Sequence, residues 1–342
     1  MSNALLHRFR FLLLLAGVMV LATACPPQPT QAATDSWDFT VKVGYSQEMV
    51  TKYGGEAALQ GRITAQLGQI ADRYTGFSKS FTIRPISFYT YASAYDQYSL
   101  PHPEADLHVI YVENPLVGGG WAGVFQVIMH SWYEPNVAGI VEGNAFAPHA
   151  TDGLAHEFGH FRGAIDIYAI NVDPAKNPVN HTGFQAKDTL GETIMDYAYD
   201  HQVIDAYSRC IIEKSADTVN DEVPVVAQTL PGTYQVNVKT AAGANVAGAS
   251  VKLYPVEWYS NSVTASPVVT GTTASNGLYQ LSSNPFRTPE SVTKPWGTVA
   301  GNFLVEVRKG SQVSYSWLPI SAAGLSACTH PGEDFVLSLT LG

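Results

Sequence analysis

The sequence predicts an α+β protein in two parts, a mixed sheet with helices followed by an antiparallel β-sandwich. Three observations point to it. Strand-like alternation and helical spacing interleave from Trp37 to about Lys214. The stretch 215–224 is polar and linker-like. From Thr233 onward short alternating runs follow one another between turn residues, with no helical period. A chain of 342 residues has length enough for two such parts.

At the N-terminus, His7, Arg8 and Arg10 precede the apolar run 11–21. That run is too short to span a bilayer comfortably and reads as the core of a signal peptide, 1–24. Ala22-Thr23-Ala24 and then Cys25 fit two processing routes. One is simple cleavage. The other makes Cys25 the lipidated first residue of a bacterial lipoprotein, attached to a membrane. Either route exports the mature chain, to the cell surface or the medium. Residues 25–35, rich in Pro, read as a tether.

Residues 37–43 alternate as a strand. In 56–74, Leu59, Ile63, Leu67, Ile70 and Tyr74 recur near the helical period. Residues 81–86, 106–112 and 124–132 read as strands, and Gly118-Gly119-Gly120 as a loop that could flank a cleft. A helix then carries His156 to His160. Val203, Tyr207 and Ile211 share a face of a further helix, with Asp200 as its candidate cap. This organises the chain as a first domain at 36–217, a linker at 218–228 and a sandwich at 229–342. Strands of the sandwich are expected at 234–238, 250–254, 278–281, 303–307, 313–318 and 335–341.

The formal net charge is −10 and only 14% of residues are charged. Without Lys/Arg runs, such an acidic chain is a poor candidate for nucleic-acid binding, because phosphate neutralisation supplies most of that affinity, and no nucleic acid is expected as a partner. With Cys25 set aside, Cys210 and Cys328 remain, as a disulfide or as two buried thiols.

The chemistry concentrates in His156-Glu157-Phe158-Gly159-His160. On a helix, positions i and i+4 share a face, so both imidazoles can grip one Zn²⁺. Glu157 beside them can reach a metal-bound water and take its proton. Two solvated histidines on a surface helix would give the same pattern. The following residues favour the metal: Gly163 ends the helix in a left-handed turn, and Asp166 can swing back as a third, oxygen ligand. His149 and His181 are the alternative third ligands. Thr151 or Asp152 is the candidate cap of this helix.

The pattern His156-Glu157-x-x-His160-x-x-Gly163-x-x-Asp166 resembles the metzincin zinc-peptidase signature, and is most similar to the snapalysin and IgA-peptidase-like groups, which place Asp third. Thr193-Ile194-Met195-Asp196-Tyr197 resembles the metzincin Met-turn. The resemblance implies a metzincin-like catalytic domain, with a mixed twisted sheet, the metal-binding helix and a C-terminal helix. It implies one catalytic zinc on His156, His160 and Asp166, Met195 beneath it, and Tyr197 stabilising the tetrahedral intermediate. In IgA-peptidase-like sequences an acidic residue and Tyr follow the third ligand, whereas here Asp166-Ile167-Tyr168 stands. With no inhibitory Cys motif and a short tether, a long latency propeptide is not expected.

Val246-Ala247-Gly248-Ala249-Ser250-Val251-Lys252-Leu253-Tyr254 and Ser275-Asn276-Gly277-Leu278-Tyr279 resemble the start of a transthyretin-like or carboxypeptidase-regulatory-type sandwich. Trp258, Tyr259, Trp296 and Trp317 could there offer a glycan platform, though a plain spacer accounts for them too. The expected function is an exported zinc metalloendopeptidase, a hydrolase of protein or peptide substrates. The competing expectations are a catalytically silent surface-binding protein or adhesin, and a zinc amidase acting on cell-wall peptides. An intact Glu157 speaks against silence, because a silent fold has no chemical use for it.

Overall fold

Strand β1 (Ser36–Ser46) buries Trp37, Phe39, Val41, Val43 and Tyr45 on one face, so its alternation is that of a strand with one face on a core. It is an inner strand, between β2 and β3, of a sheet that the computed structural model builds in the order β2-β1-β3-β5-β4. The structure describes residues 36–91, 105–112, 120–123, 126–130, 132–135, 141–196, 201–215, 229–257, 260–286 and 301–342. The expected signal segment, Cys25 and the tether lie outside them, as does the linker region 216–228. No helix among the described residues is long and apolar enough to cross a membrane.

In this sheet β2 (Ser80–Tyr91), β1, β3 (Leu107–Val112) and β5 (Gln126–His130) run parallel, and β4 (Gly120–Gly123) pairs antiparallel with β5. The run expected as one strand at 124–132 is divided between β5 and a separate hairpin of β6 (Trp132–Pro135) and β7 (Val141–Asn144). A short helix α1 (Gln47–Lys52) and the long α2 (Glu56–Arg73) follow β1. Helix α2 buries Leu59, Ile63, Leu67 and Ile70, and with them Gln66.

Gln66 explains how a polar group sits in that core. Its amide donates to the Ala145 carbonyl (2.8 Å) and Thr151 Oγ1 (3.0 Å), and its Oε1 accepts from the Tyr111 hydroxyl (2.7 Å). It thereby joins α2, β3 and the start of α3 (Pro148–Phe161). Helix α3 packs on β4 and β5, and Phe161 meets Phe39 edge-on at 5.6 Å. The expectation that Thr151 or Asp152 caps α3 is corrected. The helix begins a turn earlier, with Pro148 at its first position, where a missing N–H costs nothing. Thr151 receives Gln66, and Asp152 pairs with Arg73 at 2.9 Å.

After α3 come single turns at Ile167–Ile170 and Pro174–Lys176, then α4 (Lys187–Leu190) and α5 (Ala206–Lys214). The helix expected from Val203 starts later. Asp205 caps it, accepting from Ser208 N at 2.9 Å, while Val203 precedes it and is 60% exposed. Asp200 lies outside the described residues.

The C-terminal strands form two sheets. One has the order β10 (Ser262–Val263), β9 (Ser250–Glu257), β13 (Asn302–Lys309), β14 (Gln312–Pro319), with β11 (Val269–Thr272) also on β9. The other is β12 (Leu278–Gln280), β8 (Tyr234–Thr240), β15 (Phe335–Leu341). Two expectations change here. Strands β8 and β15 pair in parallel, and a helix, α6 (Ile320–Thr329), connects β14 to β15. Its sequence, Ile-Ser-Ala-Ala-Gly-Leu-Ser-Ala-Cys-Thr, lacks the polar face that makes a helical period visible, because it is mostly small residues.

Residues Ala33–Gly342 form one unit. Cys210 of α5 is disulfide-bonded to Cys328 of α6, with Cα atoms 6.2 Å apart. Val172 shares an apolar cluster with Tyr254, Val256, Val263 and Leu304, so the outer face of the β9–β13 sheet is covered by the segment that follows α3. Phe184 meets Trp317 at 5.9 Å. Trp317 is therefore a packing residue, while Trp258, Tyr259 and Trp296 lie outside the described residues.

Candidate metal centre

Helix α3 delivers His156, Glu157 and His160, all buried, at 7%, 7% and 6% exposure. The helix is anchored close to them: Tyr74, at the end of α2, donates its hydroxyl to the Ala155 carbonyl at 2.5 Å. Burial raises the Tyr74 pKa well above its usual range, Arg162 opposes this and Glu157 adds to it, so the phenol stays protonated and donating.

The helix then stops. Gly163 adopts φ 87° and donates to the His160 carbonyl (2.8 Å), while Ala164 N reaches back to the Gly159 carbonyl (2.9 Å). This pair of bonds is a Schellman termination, which needs a left-handed residue at that position. It turns the chain so that Asp166, 3% exposed, returns to the two histidines.

Three atoms converge. Asp166 Oδ1 lies 3.1 Å from His156 Nε2 and 3.1 Å from His160 Nε2, and the two Nε2 atoms are 3.0 Å apart. Tetrahedral zinc with bonds of about 2.0–2.1 Å places its ligand atoms about 3.3 Å apart, so this triangle has the right size. Main-chain carbonyls orient the rings from behind: His156 Nδ1 donates to Ile194 O (2.7 Å) and His160 Nδ1 to Ala164 O (2.8 Å). In the neutral imidazoles this leaves both Nε2 lone pairs facing Asp166 Oδ1. Lone pairs and a carboxylate at such distances repel unless a cation lies among them, so the donor set fits a divalent ion.

Were the two imidazoles protonated instead, burial would still work against ionisation of Asp166, but the charge on His160, hydrogen bonds from His156 and His160, and the charge on His156 outweigh it. The carboxyl is then held well below the usual range and stays an anion. Among the described residues, His156, His160 and Asp166 make up the group able to hold an ion. His149 and His181 are not in it.

Beneath the site runs the turn at Thr193-Ile194-Met195. Met195 is fully buried, and its sulfur packs where a side chain at Gly159 would begin. Its carbonyl accepts from Ile167 N (2.8 Å), next to Asp166. Thr193 fixes the turn: its hydroxyl bonds Asp205 Oδ2 (2.9 Å) and its Oγ1 accepts from Met195 N (3.3 Å). Tyr168 lies parallel to the His156 ring, with centroids 6.4 Å apart. Tyr197 lies outside the described residues, as do Gly118 and Gly119.

Sequence reasoning missed Gly159, Thr193, Asp205 and the two carbonyls. Asp205 carried a readable signal, since Asp-x-x-Ser at a helix start is a capping pattern. The carbonyls carried none, because every residue has one.

No family model matches the sequence, and no curated protein matches it. Similar solved structures are distant. A chaperone–substrate complex aligns with TM-score 0.33 and 15% identity over 56% of this chain and 33% of that one. A 3-chlorocatechol 1,2-dioxygenase from Rhodococcus opacus 1CP aligns with TM-score 0.19 and 13% identity over 33% of this chain and 60% of that one. The major pilin subunit of Bacillus cereus also gives TM-score 0.19 and 13% identity, over 33% and 30%. The chain thus spans less than two thirds of each of these proteins.

Proposed function

We propose that this chain is an exported zinc metalloendopeptidase, with a metzincin-like catalytic part at 36–217 and a β-sandwich after it. The observation that carries the reading is the buried triangle of His156 Nε2, His160 Nε2 and Asp166 Oδ1, with sides of 3.0–3.1 Å, beside a buried Glu157 on the same helix. His156, His160 and Asp166 hold the ion, and the Ile194 and Ala164 carbonyls keep both imidazoles aimed. A bound Zn²⁺ supplies Lewis acidity toward a carbonyl and lowers the pKa of water at its open position.

Glu157 then moves the protons. Its carboxylate takes one from the attacking water and returns it to the leaving amine of a protein or peptide substrate. Low exposure keeps bulk water away from that carboxylate, so the exchange stays local. Met195 is the floor under the helix, and the resemblance to the metzincin Met-turn gives Tyr197 the developing oxyanion.

The test combines metal analysis with one variant. Purified protein dialysed against excess zinc is expected to retain one ion per chain. Glu157→Gln is expected to keep that ion while peptide hydrolysis falls by about two to four orders of magnitude. A wild-type protein that retains no stoichiometric metal sinks the reading. Full activity in Glu157→Gln would remove Glu157 from it.

A further inference from the structure

Asp166 differs from the two histidines in what holds it. They sit on a helix anchored by α2 and the sheet. Asp166 follows the helix stop, on extended backbone (φ −62°, ψ 107°), where its carbonyl accepts from Ala169 N at 3.3 Å and the next residue, Ile167, donates to the Met195 carbonyl. Its position depends on where the next few residues are tied.

They are tied to the C-terminal sheets. The carbonyl of Tyr168 accepts from Asn261 Nδ2 at 3.1 Å, and that of Ile170 accepts from Asn302 Nδ2 at 3.1 Å. Val172 then enters the apolar cluster on β9 and β13, and Lys176 Nζ donates to the Ser260 carbonyl at 2.8 Å. Asn302 is fully buried, so losing its partner would leave an amide donor in apolar surroundings, which makes the bond costly to break. Asn261 stands at φ 55°, a conformation Asn adopts more readily than most residues.

The other flank is tied in the same way. Thr193, which fixes the turn supplying the His156 acceptor, is bonded to Asp205 at the head of α5. Helix α5 is disulfide-bonded to α6 through Cys210–Cys328, and the Tyr207 ring lies against Gly324 of α6. Both segments that complete the site from outside α3 thus end on the sandwich.

We propose that the β-sandwich is a working part of the metal centre, with Asn261 and Asn302 as positioning residues for Asp166. This rests on the reading of His156, His160 and Asp166 as the metal ligands. The two asparagines touch neither metal nor substrate. They set the turn at Ile167–Ile170, and through it the distance of the Asp166 carboxylate from the two Nε2 atoms.

The experiment uses the full chain and two variants. Asn302→Leu removes the donor at similar volume. Asn261→Gly removes the amide and keeps a residue suited to positive φ. Zinc affinity is measured by competition with a chelator, and the visible spectrum of the cobalt(II)-substituted protein reports ligand geometry. Both variants are expected to bind zinc about tenfold more weakly. An altered cobalt spectrum, and a kcat that falls more than KM changes, are expected with it. If Asn302→Leu does not accumulate folded, Asn261→Gly decides alone. Wild-type zinc affinity and a wild-type cobalt spectrum in Asn261→Gly overturn the proposal, whatever its melting temperature. A wild-type protein without metal overturns the site itself, a result told apart by its appearance before any variant is made.

Discussion

A Cβ built on Gly159 would stand 2.4 Å from Met195 Sδ and 3.0 Å from its Cε. The glycine is therefore one half of a contact whose other half is the methionine. Thioethers are flexible, so Gly159→Ala forces Met195 aside rather than breaking the helix. The expected cost is about 1–3 kcal/mol, the usual range for overpacking. Zinc affinity is expected to fall too, because the displaced residue adjoins Ile194, whose carbonyl orients His156. Adding Met195→Ala to Gly159→Ala is expected to recover part of the stability, and thermal melts of the two singles and the double measure that coupling. Equal, additive losses would show that the two residues do not act as a pair. At this scale the sequence is informative where side-chain chemistry repeats at a structural period. His156 and His160 four apart, with Glu157 between, are legible for that reason. Gly159 is not, since its role lies in a space that Met195 fills from 36 positions further along the chain.

For the elements, what matters most is where a helix ends. Helix α3 must stop one residue past Phe161 for Asp166 to come back, and Gly163 at φ 87° makes the stop. Gly163→Ala puts a Cβ in a left-handed conformation at about 1–2 kcal/mol. Either that strain is borne, with Asp166 kept in place, or the last turn rearranges and Asp166 leaves the triangle. The buried triangle has little slack, so the second outcome is expected. Zinc binding should weaken by more than the drop in melting temperature alone would suggest, and calorimetric titration with zinc on the folded variant reads it. Gly163→Asn, with its tolerance of positive φ, should lie between Ala and wild type. This stop is legible, because a glycine shortly after a helical run is the residue that most readily takes the left-handed turn ending it. Starts are less so. The period of Val203, Tyr207 and Ile211 predicts α5, yet its cap is Asp205 and Val203 is exposed. Periodicity marks a face, whereas the start is set by the local cap, Ser208 N on Asp205 Oδ1, a pattern that the period does not include. Helix α6 escaped notice because small residues such as Ala323 and Gly324 pack on both sides without a polar face to betray them.

For the whole molecule, the polar stretch between the two parts invites a picture of independent domains. The packing gives a different expectation. Val172 is buried among residues of the C-terminal sheets, Asn302 reaches Ile170, and Cys210–Cys328 bridges a separation of 118 residues. Of these only the cysteine pair is offered by the sequence, as one of two alternatives, since the others pair positions far apart in the chain with no residue type to mark them. A cross-link over that length removes about 4–5 kcal/mol of freedom from the unfolded chain by loop closure. Zinc that binds only the folded state adds RT ln(1 + [Zn]/Kd). If both parts unfold together, each stabiliser acts on the same transition. Scanning calorimetry is therefore expected to show one endotherm, displaced as a whole by zinc in one direction and by chelator in the other. The variant carrying Cys210→Ser with Cys328→Ser should melt lower and still respond to zinc across its whole endotherm. Two endotherms, with only one sensitive to zinc, would mean that the C-terminal sheets unfold without regard to the metal, and the contacts at Ile170 and Val172 would then be too weak to couple the two parts. A single endotherm that keeps its zinc response after loss of the disulfide would place the coupling in the buried surface itself, around Val172, Tyr254 and Leu304, rather than in the covalent bridge.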